Sequence, residues 1–138
     1  MKILQIVPSL ASGGVERGTI EIAEFLQRNA IENYVCSAGG SMVSDLKKIG
    51  VENITLSVHS KNPITIIANI YRIIKIVKKY QIDIVHVRSR APAWSCYFAH
   101  KLSNFKLVTT FHGAYSISSY IKKLYNIENL YQALPVEN

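Results

Sequence analysis

The stretch PSLASGGVERG (8–18) has the composition of a loop that could lie close to a phosphate group. Gly13 and Gly14 carry no side chain, so a ligand can approach their backbone, and the free N–H groups at a helix start favour an anion. Arg17 follows in the expected first turn, where it could meet the same anion. The spacing is GGxxxG rather than GxGxxG, and Gly18 at its end suits close helix–sheet packing. A tight turn without a ligand explains the two glycines equally well, and both interpretations stay open on this stretch alone.

A second stretch, HVRSRAPAW (86–94), places two arginines directly after an apolar run. Arg88 and Arg90 flank Ser89 and can form bidentate hydrogen bonds with a phosphate or carboxylate group. Surface charge on a basic protein is the alternative, and the position before a Pro-started helix favours anion binding. His86 alternates with valines, which is typical of a histidine in the core.

A third stretch, TTFHGAY (109–115), ends another apolar run with His112 and Gly113. An imidazole there can donate a hydrogen bond, act as a general base or stabilise charge. His112 is therefore the candidate catalytic residue, and Gly113 is a candidate substrate-binding position beside it. No serine lies in a GxSxG motif that would indicate a hydrolase triad.

The elements predicted from periodicity would bring these three stretches together. Apolar runs predict strands at 2–8, 32–40, 52–58, 82–89 and 105–113, and amphipathic runs predict helices at 15–30, 42–50, 62–81, 91–103 and 118–131. Regular alternation predicts βαβ units, hence an α/β, Rossmann-like, doubly wound parallel sheet with helices on both faces. Ligands of such sheets bind beyond the carboxyl ends of the strands, where all three stretches would lie.

The composition indicates a folded protein of one domain and a preference for anionic partners. The 138 residues suit one domain, and 49% hydrophobic with 18% charged residues argues against disorder. A net charge of +7 and a pI near 9.5 favour anionic partners, without choosing among nucleic acid, anionic lipid and phosphorylated small molecules. Cys36 and Cys96 form no metal or disulfide pattern, and we expect two buried thiols in a reducing compartment. We expect neither a signal peptide nor a membrane span, because no apolar run approaches about 20 residues.

The predicted helix at 62–81 has two interpretations. An apolar stripe is followed by cationic residues toward the helix end; the stripe comprises Ile64, Ile67, Ile70, Tyr71, Ile74 and Val77. The favoured interpretation is a core-packed helix with charge that complements its C-terminal dipole. The alternative is attachment to an anionic membrane surface.

Taken together, the stretches ILQIVPSLASGGVERGTIEIAEFL, DIVHVRSRAPAW and LVTTFHGAY resemble the N-terminal half of retaining GT-B glycosyltransferases of the family-4 type, a group with many bacterial lipopolysaccharide and capsule transferases. The resemblance runs from residue 2 to 125. It implies one of two Rossmann-like domains that face a cleft. Residues 1–125 would be the acceptor-side domain, possessing an incomplete sheet at its C-terminal end, and 126–138 an atypical tail.

The resemblance also implies roles for the candidate residues. Gly13 and Gly14 would form the loop that approaches the diphosphate of a nucleotide-sugar donor, and His112 would lie near the transferred sugar. Arg88 and Arg90 would face an anionic acceptor or the diphosphate. No metal or other cofactor is expected, because backbone N–H groups and cationic side chains stabilise the leaving group. The expected partners are the nucleotide sugar and a glycan or lipid-linked acceptor, with no nucleic acid.

The sequence also departs from the family pattern. The donor domain with its Arg/Lys pair and Glu-x7-Glu motif is missing, and the same spacing of Glu16, Glu24 and Glu32 is coincidental. We therefore expect a half-enzyme that is inactive alone, works in the cytoplasm or at the inner face of the cell membrane, and needs a separate donor-domain chain. One alternative is a non-catalytic remnant or binding module of a truncated or split gene. Another is an unrelated nucleotide-binding Rossmann domain, weakened by the missing GxGxxG.

Overall fold

The computed structural model describes residues 1–110, in which five strands alternate with four helices. In chain order these are β1 Lys2–Ile6, α1 Gly14–Arg28, β2 Glu32–Ser37, α2 Val43–Lys48, β3 Glu52–Thr55, α3 Pro63–Tyr80, β4 Ile84–Val87, α4 Arg90–Leu102 and β5 Lys106–Thr109. Each predicted element in this range is present, with ends that differ by a few residues. His112, Gly113, the predicted helix at 118–131 and the predicted tail at 126–138 lie outside the described residues.

The five strands form one parallel sheet in the order β3-β2-β1-β4-β5, which confirms the predicted Rossmann-like α/β class. β1 lies in the middle and pairs with β2 on one side and β4 on the other. The chain first builds outward from β1 through β2 to β3. It then returns through α3 to place β4 on the opposite side of β1. The point between β1 and β4, where the strand order reverses, is where ligands of such sheets bind.

Two hydrophobic clusters place the helices in two layers. The cluster on one face joins α1 and α2 to the sheet through Val7, Leu10, Ala23, Val35, Leu46 and Val51. The cluster on the other face joins α3 and α4 to the sheet and includes Leu4, Ile6, Ile73, Val77, Val85, Val87, Cys96 and Ala99. Residues that alternate along β1 and β4 thus point to opposite faces, as a strand buried on both sides requires.

α3 occupies the predicted range 62–81, and residues at both of its ends have the conformations that start and stop a helix. The Asn62 side chain accepts a hydrogen bond from the Ile64 N–H at 2.9 Å, and Pro63 occupies the first turn. Gln81 ends the helix in the left-handed conformation. The core-packing interpretation of its apolar stripe is only partly right, because Ile64, Ile67 and Tyr71 are exposed.

The two cysteines are buried free thiols in the core beneath α3 and α4. Burial raises the pKa of the Cys36 thiol to about 12 and holds that of Cys96 well above its usual range. Because only a thiolate attacks disulfide reagents, we expect the native protein to react with DTNB at pH 8 at least about 10³-fold more slowly than the unfolded chain. Rapid labelling of either cysteine without denaturant would contradict the buried placement.

Candidate functional site at the β1–β4 edge

The loops after β1 and β4 lie side by side at the reversal point of the sheet. β1 and β4 pair in register from Ile3 to Ile6, and the Arg88 N–H continues the ladder by donating to the Ile6 carbonyl at 2.9 Å. α1 and α4 both begin at this edge. The structure therefore brings the Gly13–Gly14 turn and the Arg88–Arg90 turn to one place, as the sequence predicts.

The Gly13–Gly14 turn starts α1 without a side-chain cap. Gly13 is the N-cap residue with φ 138°, a backbone conformation that favours glycine. The Glu16 carboxylate folds back against it, since a β-carbon on Gly13 would lie 2.5 Å from Glu16 Oε2. No atom of residues 1–110 outside this turn lies within 4 Å of a β-carbon built on Gly14. The exposed start of α1 thus has uncapped N–H groups, one resident carboxylate and, in its first turn, the exposed Arg17.

A second glycine pair supports this turn from the neighbouring loop. Gly40 has φ 145°, and a β-carbon there would lie 2.3 Å from the Leu10 carbonyl carbon and 2.6 Å from the Ala11 nitrogen. Leu10 N–H donates to the Gly39 carbonyl at 2.8 Å, and the Ser41 hydroxyl donates to the Ala11 carbonyl at 2.7 Å. In the sequence this pair ends the predicted strand at 32–40. The β2–α2 loop is in fact a support for the segment that leads into Gly13.

Arg88 is buried, with only 5% of its surface exposed. Its Nη1 donates to Gln5 Oε1 at 3.4 Å and to the Gly18 carbonyl at 3.3 Å. Within residues 1–110 its Nε–H has no acceptor and no carboxylate forms an ion pair with it. Burial therefore lowers the pKa of the guanidinium, which stays charged at neutral pH. A desolvated cation without a counter-ion lies against α1, about one helical turn from its N-terminus.

A buried polar network around Arg88 was not predicted from the sequence. Gln5 donates through Nε2 to the Thr19 carbonyl at 3.1 Å, and Thr19 donates through Oγ1 to the Val15 carbonyl at 2.8 Å. Gly18 admits the guanidinium, because a β-carbon there would lie 3.0 Å from Arg88 Nη2. In the sequence, the residue that could have indicated this network is Gln5, a polar residue in the middle of an apolar strand. Gly18 thus lets α1 lie close to the Arg88 side chain, which follows β4 directly.

The remaining candidates have different positions. Arg90 is half-buried as the first residue of α4, which Ser89 precedes without a side-chain cap. His86 is half-buried on β4, and its Nε2 lies 3.0 Å from Thr110 Oγ1, which fits its interpretation as a satisfied histidine. Among the described residues there is no cluster of three or more histidine, cysteine or acidic side chains that could hold a metal ion.

The arrangement can attract an anion without a metal. Two helix N-termini lie at one edge of the sheet, neither with a hydrogen bond from its N-cap side chain, and each has a partial positive charge. Arg88 adds a full positive charge from below the surface, where the low dielectric strengthens its effect. A phosphate or diphosphate at this edge would therefore meet backbone donors first and cationic side chains second.

Comparison with known proteins supplies the family. The model of Glycosyltransferase Family 4 matches residues 12–134. The chain belongs to glycosyltransferase family 4. The matched part of this family 4 chain begins next to Gly13 and includes Arg88, Arg90 and His112.

A solved structure is similar to this family 4 chain over most of its length. It is the crystal structure of a glycosyltransferase from Rickettsia africae ESF-5, 51% identical with a TM-score of 0.78. The match covers 91% of the family 4 chain and 33% of the Rickettsia chain, so the chain spans one third of the length of that relative. A search of curated proteins finds no match. In residues 1–110 of the family 4 chain, none of the helices has both the length and the apolar character needed to cross a bilayer.

Proposed function

We propose that this chain is the acceptor-side half of a retaining glycosyltransferase of the GT-B type. It would move a sugar from a nucleotide sugar to a cell-envelope glycan or lipid-linked acceptor of the lipopolysaccharide or capsule kind. The observation that carries the proposal is the meeting of the glycine turn and the arginine turn at the reversal point of a family 4 sheet. Residues 1–125 would be the domain and 126–138 a tail.

In this proposal each candidate residue has a stated task. Gly13 and Gly14 let the donor diphosphate approach the N–H groups of α1. Arg88 supplies buried positive charge as the leaving group develops negative charge, and Arg17 and Arg90 bind anionic groups at the rim. Gly113 lies beside the substrate in this scheme, and His112 orients the sugar or stabilises charge. No bound metal takes part.

In this proposal, acceptor binding and donor binding belong to two different domains. The donor nucleotide would be held by a second domain of the Glu-x7-Glu kind, and residues 1–138 alone would not transfer sugar. The reaction would take place in the cytoplasm, at the inner face of the cell membrane, where lipid-linked acceptors are available. A bilayer contact would hold the acceptor-side domain near its substrate.

Complementation by a donor domain tests this function. The chain is mixed with the remaining two thirds of the Rickettsia africae glycosyltransferase and a panel of radiolabelled nucleotide sugars. We expect transfer to a membrane extract by the mixture and by neither half alone. His112→Ala should lower the rate at least about tenfold if the side chain stabilises charge in the transition state.

Two results would contradict the proposal. No transfer with any donor, while pyrophosphate still binds at the glycine turn, would make the chain a non-catalytic binding module. An unchanged rate for His112→Ala in an active mixture would remove the role given to that histidine. Ser116→Ala, four residues further along, is the matched control and should keep the full rate.

A further inference from the structure

Gln5 lies in the middle of the central strand β1 and is fully buried. Its neighbours Leu4 and Ile6 point into the cluster beneath α3 and α4, so Gln5 faces α1 on the other side of the sheet. An amide in this position is unfavourable unless its polar atoms form hydrogen bonds. A β-branched apolar residue would fill a buried strand position without that cost. The amide therefore serves something other than the packing of the core.

Both ends of the Gln5 amide form hydrogen bonds, and these bonds fix its orientation. Nε2 donates to the Thr19 carbonyl of α1 at 3.1 Å, and Oε1 accepts from Arg88 Nη1 at 3.4 Å. A guanidinium can only donate and a carbonyl can only accept, so the reversed amide would satisfy neither partner. The Thr19 hydroxyl donates in turn to the Val15 carbonyl at 2.8 Å. Gln5 thus connects the guanidinium of Arg88 to the first two turns of α1.

Every hydrogen bond of the Arg88 guanidinium within residues 1–110 goes to a neutral oxygen. The two acceptors are the Gln5 amide and the Gly18 carbonyl, at 3.4 and 3.3 Å. Among the described residues no carboxylate pairs with Arg88, and its Nε–H has no acceptor. Neutral acceptors hold a guanidinium in place and leave its full charge to act on a ligand. A carboxylate in the same place would cancel most of that charge.

From these contacts we propose that Gln5 is the positioning residue of the anion site at the β1–β4 edge, because its neutral amide holds Arg88 against α1 without neutralising it. Arg88 then adds to the partial positive charge at the α1 N-terminus, and a diphosphate gains from both. Glutamate has the same length as glutamine, so the choice of amide over carboxylate at this position decides whether the edge attracts anions. The inference rests on the anion-binding part of the proposed function, in which Arg88 is a charged partner of the donor diphosphate.

Isothermal titration of the full chain with pyrophosphate tests this role through Gln5→Glu. The new carboxylate would lie within reach of Arg88 Nη1, and a carboxylate beside a guanidinium is ionised and pairs with it. We expect pyrophosphate affinity to fall at least about tenfold, as for Arg88→Met, because both changes remove the net charge of this pair. The midpoint of urea denaturation should stay the same or rise, since a buried cation gains a counter-ion.

Gln27→Glu is the matched control for Gln5→Glu. It makes the same change from amide to carboxylate near the C-terminal end of α1, where Gln27 is exposed and accepts from Asn33 Nδ2 at 3.5 Å. A carboxylate keeps this acceptor, and the net charge of the protein changes by the same amount. We expect pyrophosphate affinity to stay within about twofold of the native value at physiological salt, because solvent and ions screen that distance.

A double-mutant cycle shows whether Gln5 acts through Arg88. Gln5→Met removes the amide and keeps the length of the side chain, so Arg88 keeps its charge and loses one of its two acceptors. We expect this variant to bind pyrophosphate about threefold more weakly, and the same change in an Arg88→Met background to cause no further loss. A glutamine with a structural role alone would weaken binding by the same factor in both backgrounds, which would contradict the inference.

Three further results would overturn the inference. Pyrophosphate binding that is lost in Arg88→Met and kept in Gln5→Glu would leave the anion site and the proposed function in place, with Gln5 as a packing residue only. Equal losses for Gln5→Glu and Gln27→Glu would reduce the effect to a general change of net charge. Absence of pyrophosphate binding by the native chain would also remove the diphosphate role of Arg88, while sugar transfer in the mixture with the donor domain tests the proposed function independently.

Discussion

Gly40→Ala is expected to destabilise the protein by about 3–5 kcal/mol, combining a positive φ with a clash against backbone. The added methyl group would lie 2.3 Å from the Leu10 carbonyl carbon and 2.4 Å from its oxygen. These atoms belong to a main chain held by hydrogen bonds to Gly39 and Met42, so no side-chain rotation relieves the contact. Urea denaturation measures the loss in free energy of unfolding.

The adjacent glycine provides the control for Gly40→Ala. Gly39 also has a positive φ, of 94°, but in the described part of the chain no neighbouring atom lies within 4 Å of a β-carbon built there. Gly39→Ala should therefore cost only the conformational strain, about 1–2 kcal/mol. Equal losses for the two variants would mean that the β2–α2 loop does not support the segment before Gly13. In the expected case, Gly40→Ala also weakens pyrophosphate binding, since the glycine turn shifts with its support.

Arg88→Met is expected to weaken anion binding and to leave the stability of the protein nearly unchanged. Methionine keeps the length of the side chain and removes a buried charge that has no counter-ion among residues 1–110. The lost hydrogen bonds to Gln5 and Gly18 offset the regained desolvation free energy, so unfolding should change by no more than about 1 kcal/mol. Pyrophosphate affinity should fall at least about tenfold, because a charged partner of the anion is removed.

The comparison with an exposed arginine isolates the effect of position. Arg28→Met removes the same charge from the far end of α1, where the guanidinium pairs with Glu24. Its pyrophosphate affinity should stay within about twofold, since solvent and salt screen that distance. Isothermal titration at fixed ionic strength gives both values. A stability loss of about 3 kcal/mol in Arg88→Met with unchanged pyrophosphate affinity would make Arg88 a structural clamp instead of an anion partner.

The fold could be predicted from the sequence because its signals are local and repeated. Apolar runs alternate with amphipathic runs, and Asn62, Pro63 and Gly50 mark helix ends by their own conformational preferences. The strand order then follows from right-handed crossovers and a return through a long helix. The meeting of Gly13 with Arg88 at one edge is a consequence of that order.

The interior of the site could not be predicted, because it depends on contacts between distant residues. Gln5 and Arg88 are 83 positions apart, and nothing in the periodicity of either strand shows that their side chains meet. Periodicity also gave the wrong burial for part of α3. It assigns residues to one face of a helix without showing whether that face packs against the core. Ile64 and Ile67 continue the apolar pattern, but no other element within residues 1–110 covers them. His112 and Gly113 stay predictions, as they lie outside the described residues.

The Glu16 carboxylate occupies the glycine turn, so an incoming anion would have to displace it. Its carboxylate already rests against Gly13 at the start of α1, so the helix end is not a vacant positive site. A phosphate group that takes this position must first move the resident carboxylate away. Chloride and other weakly held monovalent anions gain too little to do so, whereas a diphosphate with several acceptor oxygens replaces one internal anion by a stronger set of hydrogen bonds. Under the proposed function, this resident carboxylate would make the turn selective for multivalent anions.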